Sequence, residues 1–146
     1  LRANKSVVVK AARYKPGKFN CQTRKEVNME KVNLAQKLTL FNDYWHPRIV
    51  GELNDAHVKL VKVQGEFVWH HHTHEDELFL VLHGRLHMQF RDRDVWLEEG
   101  EFIIVPRGVE HRPVAPEEVH LLLLEPKSTL NTGNVMDEKT AVAEWI

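Results

Sequence analysis

The sequence predicts an all-β fold, an antiparallel jelly-roll barrel preceded by a short N-terminal helical segment. Three observations carry this expectation. After Pro47, apolar and polar residues alternate in short runs, the period of two that sends successive side chains to opposite faces of a strand. Eight such runs are separated by turn residues. No helical period intervenes between them, which disfavours parallel βαβ units, and eight antiparallel strands suit a jelly roll. A chain of 146 residues is long enough to bury one core and too short for several domains.

Taken in order, the chain opens on a basic stretch. Before Met29 there are eight Lys or Arg and one acid, Glu26, a net +7; from Met29 onward 12 basic residues face 20 acids, a net −8. The shift at Met29 marks 1–28 as a basic N-terminal extension or an added leader, and 29–146 as a single domain. Val7-Val8-Val9 interrupts the extension, and 6–10 reads as a candidate edge strand able to pair with a neighbouring chain. A short basic tail is ordinarily a solvated segment, so no nucleic-acid partner is expected. The stretch 29–38 is expected to hold one or two helical turns, with Val32, Leu34, Ala35 and Leu38 as its apolar face and Asn28 as its cap. Candidate strands then run 56–63, 66–72, 77–83, 85–90, 94–98, 101–105, 111–114 and 118–124. Gln64-Gly65, 73–76, Gly84, 91–93, Glu99-Gly100, 106–108 and Ala115-Pro116 supply the turns.

Composition removes several function classes. Hydrophobic residues are 42% and charged residues 28% of the chain, unlike the profile of intrinsic disorder. No apolar run approaches the roughly 18 residues of a membrane-spanning helix, so no membrane partner is expected. The single cysteine, Cys21, can form neither an internal disulfide nor a thiolate cluster, and a reducing, cytoplasmic setting is the expectation. No helix-turn-helix pattern is visible.

The chemistry sits in two segments. Of ten histidines, His70, His71, His72 and His74 fall within 70–74. His70 and His72, two apart on a predicted strand, project from one face. Glu77 opens the next strand after a tight reversal that brings its carboxylate back beside those rings. His111 follows a turn stiffened by Pro106 and Gly108. Three neutral imidazoles and one carboxylate suit one divalent transition metal ion per chain, Fe, Mn, Ni or Zn, with one or two positions left for water or substrate. A second register, His72 and His74 with Glu77, leaves only two residues before the glutamate. His71 is out of phase and should point away from the interior; His74 belongs to the turn and should be solvated. His83 and His87 read as exposed strand positions, and His120 as the frayed start of a strand. Trp69, Phe79 and Val81 read as barrel packing, the last two sharing the parity of Glu77 and so able to line a pocket. Candidate acid–base groups beside the ligands are His74, Arg107 and Glu110.

These residues resemble those of the small single-domain cupins. Gly65, His70, His72, Glu77 and Gly84 match the first family motif, with four residues between Gly65 and His70 as a one-residue departure. Gly100, Pro106, Gly108 and His111 match the second at every spacing, with Ala115 where the family closes on asparagine. The resemblance covers a motif core of about 56–125. It implies a double-stranded β-helix, the cupin jelly-roll barrel, with a metal inside held by His70, His72, Glu77 and His111, and a homodimer. It also implies a small-molecule substrate or ligand. Cupins of this pattern are similar to dioxygenases, sugar-phosphate isomerases, decarboxylases and lyases, while others only bind ligands. Dioxygenase-type chemistry is slightly favoured here. A sugar-phosphate isomerase would want a basic cluster at the pocket mouth, and only Arg85, Arg107 and Arg112 are near in sequence. The alternatives are a non-enzymatic ligand-binding or sensing module and a metal-dependent isomerase or lyase acting on a sugar or sugar phosphate.

Overall fold

A computed structural model describes residues 29–146. The chain divides into two units, Leu1–Glu30 and Lys31–Ile146, and every element below belongs to the second. The basic extension and its candidate edge strand lie outside the described residues. The elements are α1 (Leu34–Leu38), β1 (Arg48–Leu53), β2 (Ala56–Glu66), β3 (Glu77–His83), β4 (Leu86–Phe90), β5 (Asp94–Leu97), β6 (Phe102–Val105), β7 (His111–Pro126) and β8 (Glu144–Trp145). The all-β architecture is as expected, with pairing antiparallel except for a short parallel contact of β1 with β8.

β7 organises the barrel because it serves two sets of neighbours. Its first residues pair with β4, Phe90 opposite His111. Its last residues pair with β3, Leu78 opposite Leu124, and β2 runs along it from Ala56 to Glu66. Between the two halves the exposed run Pro116, Glu117 and Glu118 bends the strand. Pro116 has no N–H to give a ladder, and a bend turned to solvent is where that loss costs least. The expected break at Ala115-Pro116 is therefore a bend within one strand. His120 lies inside that strand and not at its frayed start. Gly84, at φ 83°, makes the β3–β4 reversal against this bend, where a Cβ would lie 2.8 Å from the Glu118 carbonyl oxygen. Glycine alone fits there.

Three further expectations are corrected. β1, with Gly51 breaking its alternation, carries too weak a pattern to read, yet it pairs along β2 from Arg48 to Leu53. The segment 66–72 is not a strand of its own. β2 continues to Glu66, and beyond it the chain is tied to β7 by Phe67 N donating to Pro113 O at 3.0 Å and by a bridge between His70 and His111. The helix is shorter than expected and is capped by Asn33, whose side chain accepts from Gln36 N.

Inside the barrel Phe79, Val81, Leu86, Met88, Phe90, Val119, Leu121 and Leu123 form one buried cluster with Trp45, Val61, Val63 and Phe67. At about 1.5–3 kcal/mol for each large side chain removed from water, this cluster dominates the stability. Among the described residues no helix is long and apolar enough to cross a membrane.

Candidate metal centre

Four polar residues interrupt this apolar interior. His70, His72, Glu77 and His111 are 2%, 4%, 4% and 0% exposed, and their ligand atoms all lie within 4.8 Å of one another. The backbone brings them together. His70 and His111 exchange two backbone hydrogen bonds, at 3.1 and 2.9 Å, which sets their rings 4.3 Å apart. Alternation then carries His72 to the same side and leaves His71 on the other, half-buried. Gly108 N donates to His72 O at 2.7 Å, so the second motif's turn holds the first motif's histidine segment. Glu77 enters from β3, directly opposite Val105.

The ring tautomers follow from the second nitrogen. His70 Nδ1 donates to Val68 O and His111 Nδ1 to Val109 O, both at 3.0 Å. A proton committed to Nδ1 leaves Nε2 as a lone pair facing inward, the arrangement a metal-ligating histidine needs. Burial, and then the neighbouring His111, lower the His70 pKa from the usual 6.5 to about 4, so the ring is neutral at physiological pH. For Glu77 burial pushes upward, but contacts with His111 and His72 more than offset it and hold the carboxyl below its ordinary range.

The donor set fits a bound cation. His72 Nε2 stands 3.1 Å and His111 Nε2 3.6 Å from Glu77 Oε2, yet neither contact is a hydrogen bond. All three atoms are buried without a hydrogen-bond partner. Buried polar atoms are nearly always satisfied, and three orphans converging on one point are what a divalent ion would satisfy. Nitrogen and carboxylate donors in this ratio suit Fe, Mn, Ni or Zn.

A small cavity of about 30 Å³ adjoins the cluster, lined by His70 and Glu77 together with apolar residues including Trp45, Phe67, Phe79 and Leu121. It has room for about two water-sized groups. Trp45 is held there at φ 63°, a conformation costing a bulky residue about 1–3 kcal/mol. Its ring stacks on Phe67 at 4.7 Å and its Nε1 donates to Gln64 O at 3.0 Å. Among the described residues no lysine or arginine lines this cavity.

The remaining sequence candidates lie elsewhere. His74 is exposed in the turn, so the register using it with His72 is not the one that converges. Arg107 is bound to Asp76 and Glu110 to Arg91; neither lines the cavity. The Arg107 contacts hold the Asp76 pKa down to about 2. Arg85 pairs with Glu98 and Arg112 with Glu66, and neither lines the cavity. Trp69 is not barrel packing: it lies half-buried beneath the guanidinium of Arg91, 3.8 Å from its ring centre. Phe79 lines the cavity as its parity implied, its ring 5.9 Å from His111. His83 is exposed, while His87 is half-buried and stacks on Trp96 at 4.3 Å.

Comparison with known proteins decides the family. The cupin domain model matches residues 57–125. A solved cupin-2 domain containing protein from Shewanella frigidimarina is 48% identical, with a TM-score of 0.64, over 65% of this chain and 93% of that one. The chain is a cupin. NMB1881 from Neisseria meningitidis is similar at 33% identity and a TM-score of 0.62, over 66% of this chain and 99% of that one. The acireductone dioxygenase of Phaeosphaeria nodorum is 31% identical over 112 residues, 68% of this chain and 60% of that protein. The chain spans about three-fifths of the length of the curated relatives it matches.

This cupin also buries charges that no motif marks. Lys59 and Glu125, each 2% exposed, join through Nζ and Oε1 at 2.6 Å. Burial, then the adjacent Glu77 carboxylate, push the Glu125 carboxyl well up, with Lys59 pulling it back. One sequence signal could have found them. Lys59 shares its strand face with Val61 and Val63, and Glu125 with Leu121 and Leu123, so alternation points both inward.

Proposed function

We propose that this cupin is a small metal-dependent enzyme of the dioxygenase type, with His70, His72, Glu77 and His111 as the ligands of one divalent ion per chain. The observation that carries the reading is the set of three buried orphan donor atoms beside a cavity lined mainly by apolar side chains. When bound, such an ion supplies Lewis acidity and, if it is iron, a route to activating dioxygen. The protein's own part is positional. Val68 O and Val109 O fix the two tautomers, while Trp45, Phe67 and Phe79 exclude water and so strengthen every charge interaction in the pocket. The cavity suits a small, uncharged group. Likeness to an acireductone dioxygenase supports oxygen chemistry, and the apolar lining among the described residues suits an uncharged group better than a sugar phosphate.

A second reading, a non-enzymatic module that binds a small ligand, is favoured by one observation: His74, Arg107 and Glu110 all stand outside the cavity, and among the described residues the lining holds no acid–base group apart from the ligands. We further propose a homodimer. The outer face of β3 and β6 presents Leu78 and Leu80 beside Phe102 and Ile104, the last two 59% and 54% exposed, and among the described strands β6 pairs only with β3. The single Cys21 fits a reducing, cytoplasmic setting.

The test is metal analysis of protein purified without tag or chelator, then oxygen uptake with Fe(II) restored against catechols, thiols and β-diketones. About one metal per chain with uptake on one class is expected. Metal without uptake moves the weight to the binding module, and no metal after reconstitution removes the four-ligand centre and the metal-dependent enzyme with it.

A further inference from the structure

Three charged side chains stand close together on the inner face of neighbouring strands, with Lys59 a diagonal step from Glu125 because it lies opposite Leu123. Glu77 lies on β3 beside Phe79 and Val81, Glu125 on β7 beside Leu121 and Leu123, and Lys59 on β2 beside Val61 and Val63. Leu78 is opposite Leu124 and His57 opposite Glu125, so Glu125 sits between the other two. All three are no more than 4% exposed. Lys59 Nζ holds Glu125 Oε1 at 2.6 Å, leaving Glu125 Oε2 buried with no hydrogen-bond partner, and the antiparallel register that sets Leu78 opposite Leu124 brings Glu77 level with Glu125 on the same face.

A buried ion pair is a poor source of stability, since well-packed apolar residues of the same volume are often as good or better. Its place next to the one carboxylate of the metal cluster points to another role. Carboxylates that bind metals are themselves held by outer partners, and loss of such a partner typically costs 10–100-fold in metal affinity. Neither Lys59 nor Glu125 lines the cavity, so neither is placed to touch a substrate.

We infer that Lys59 and Glu125 form a buried positioning pair for Glu77: Lys59 anchors Glu125, and Glu125 confines the Glu77 carboxylate so that Oε2 faces His72 and His111. This inference rests on the reading of the cluster as a metal centre. Lys59 sets where Glu125 stands, Glu125 limits the rotamers open to Glu77, and Glu77 completes the donor set that the three histidines begin.

The experiment is Co(II) titration of the full chain, followed by visible absorption and by competition for affinity, on the wild type, the paired variant Lys59→Met/Glu125→Leu, Glu125→Gln and His72→Ala. The paired variant should fold, judged by circular dichroism, and bind Co(II) about 10–100-fold more weakly with shifted bands. Glu125→Gln keeps the length and the hydrogen-bonding capacity and should stay within about threefold of the wild type, again with a band shift. A folded paired variant with wild-type affinity and spectrum overturns the inference while leaving the metal centre intact. Should the paired variant not fold, Glu125→Gln decides, because an unchanged spectrum overturns the inference equally. A wild type that takes up no Co(II), or a His72→Ala variant that binds as tightly, removes the metal centre itself and the positioning role with it.

Discussion

The protein sets histidine beside carboxylate in two kinds of place, and the contrast between them defines the site. On the outside, His83 lies 2.8 Å from Glu99 and His120 2.7 Å from Glu118, each imidazole with a carboxylate and each pair open to water on at least one side. Inside, His72 and His111 stand 3.1 and 3.6 Å from the carboxylate of Glu77, His70 completes a set whose ligand atoms lie within 4.8 Å of one another, and all four are nearly without exposure. Residue type and spacing are alike in the two places. What differs is convergence, together with the loss of water as an alternative partner. An exposed pair that breaks finds solvent, whereas the inner donors have only each other or an ion.

The sharpest way to break this comparison is to remove one donor from each place. His111→Ala should lower metal affinity by more than about a thousandfold, beyond the 10–100-fold typical of an outer partner, while His120→Ala leaves it unchanged. Competition titration against a chelator of known affinity reads both. Equal losses in the two variants would mean that the exposed pairs bind the ion too.

The next effect is smaller and concerns the metal-free protein. The His70 pKa is lowered to about 4 from an ordinary 6.5, so between those pH values the unfolded chain binds a proton that the folded chain refuses. The His70 contribution to stability is therefore complete above about pH 6.5 and is lost as pH falls toward 4, by about 3 kcal/mol for a shift of this size. Glu77, also depressed, adds a loss of the same sign at lower pH. Urea denaturation of chelator-treated protein at pH 7.5, 6, 5 and 4 measures the slope. His70→Asn should flatten it between pH 6.5 and 4, and His120→Ala should not.

The same contrast explains how much could be read from the sequence. Period-two alternation and the two motif spacings marked β3 and the four inner residues, because both signals are local. Depth is not local. Alternation assigns Lys59 and Glu125 to the inner face, but a charged residue at such a position reads as surface until its partner 66 residues away is known. β1 and β8 lack strong patterns of their own and form by pairing with better strands. Pro113 and Pro116 argue for a break that β7 instead absorbs as a bend. Gly133 shows the same limit. At φ 53°, with the position of a Cβ crowded by the backbone of His71, it packs the C-terminal loop against the histidine segment, and Asn134 Oδ1 accepts from His71 N at 2.9 Å. That contact joins residues 63 apart outside both motifs, so no spacing rule announces it.

The smallest effect tests whether the outer pairs contribute anything of their own. His120 Nε2 is 2.7 Å from Glu118, which also accepts from Tyr44 at 2.8 Å, and the His120 ring lies 5.2 Å from that of His83. Two side chains held in one geometry at a surface lose rotamer freedom, and water and salt screen their attraction, so such pairs couple by roughly 0.2–1 kcal/mol. A double-mutant cycle over His120→Ala and Glu118→Ala, read by denaturant unfolding at pH 6, should give a coupling below about 1 kcal/mol that shrinks further in 0.5 M salt. Coupling well above that value, and indifferent to salt, would place this pair with the inner donors, and the distinction between the two sets of histidines would then need a cause other than access to water.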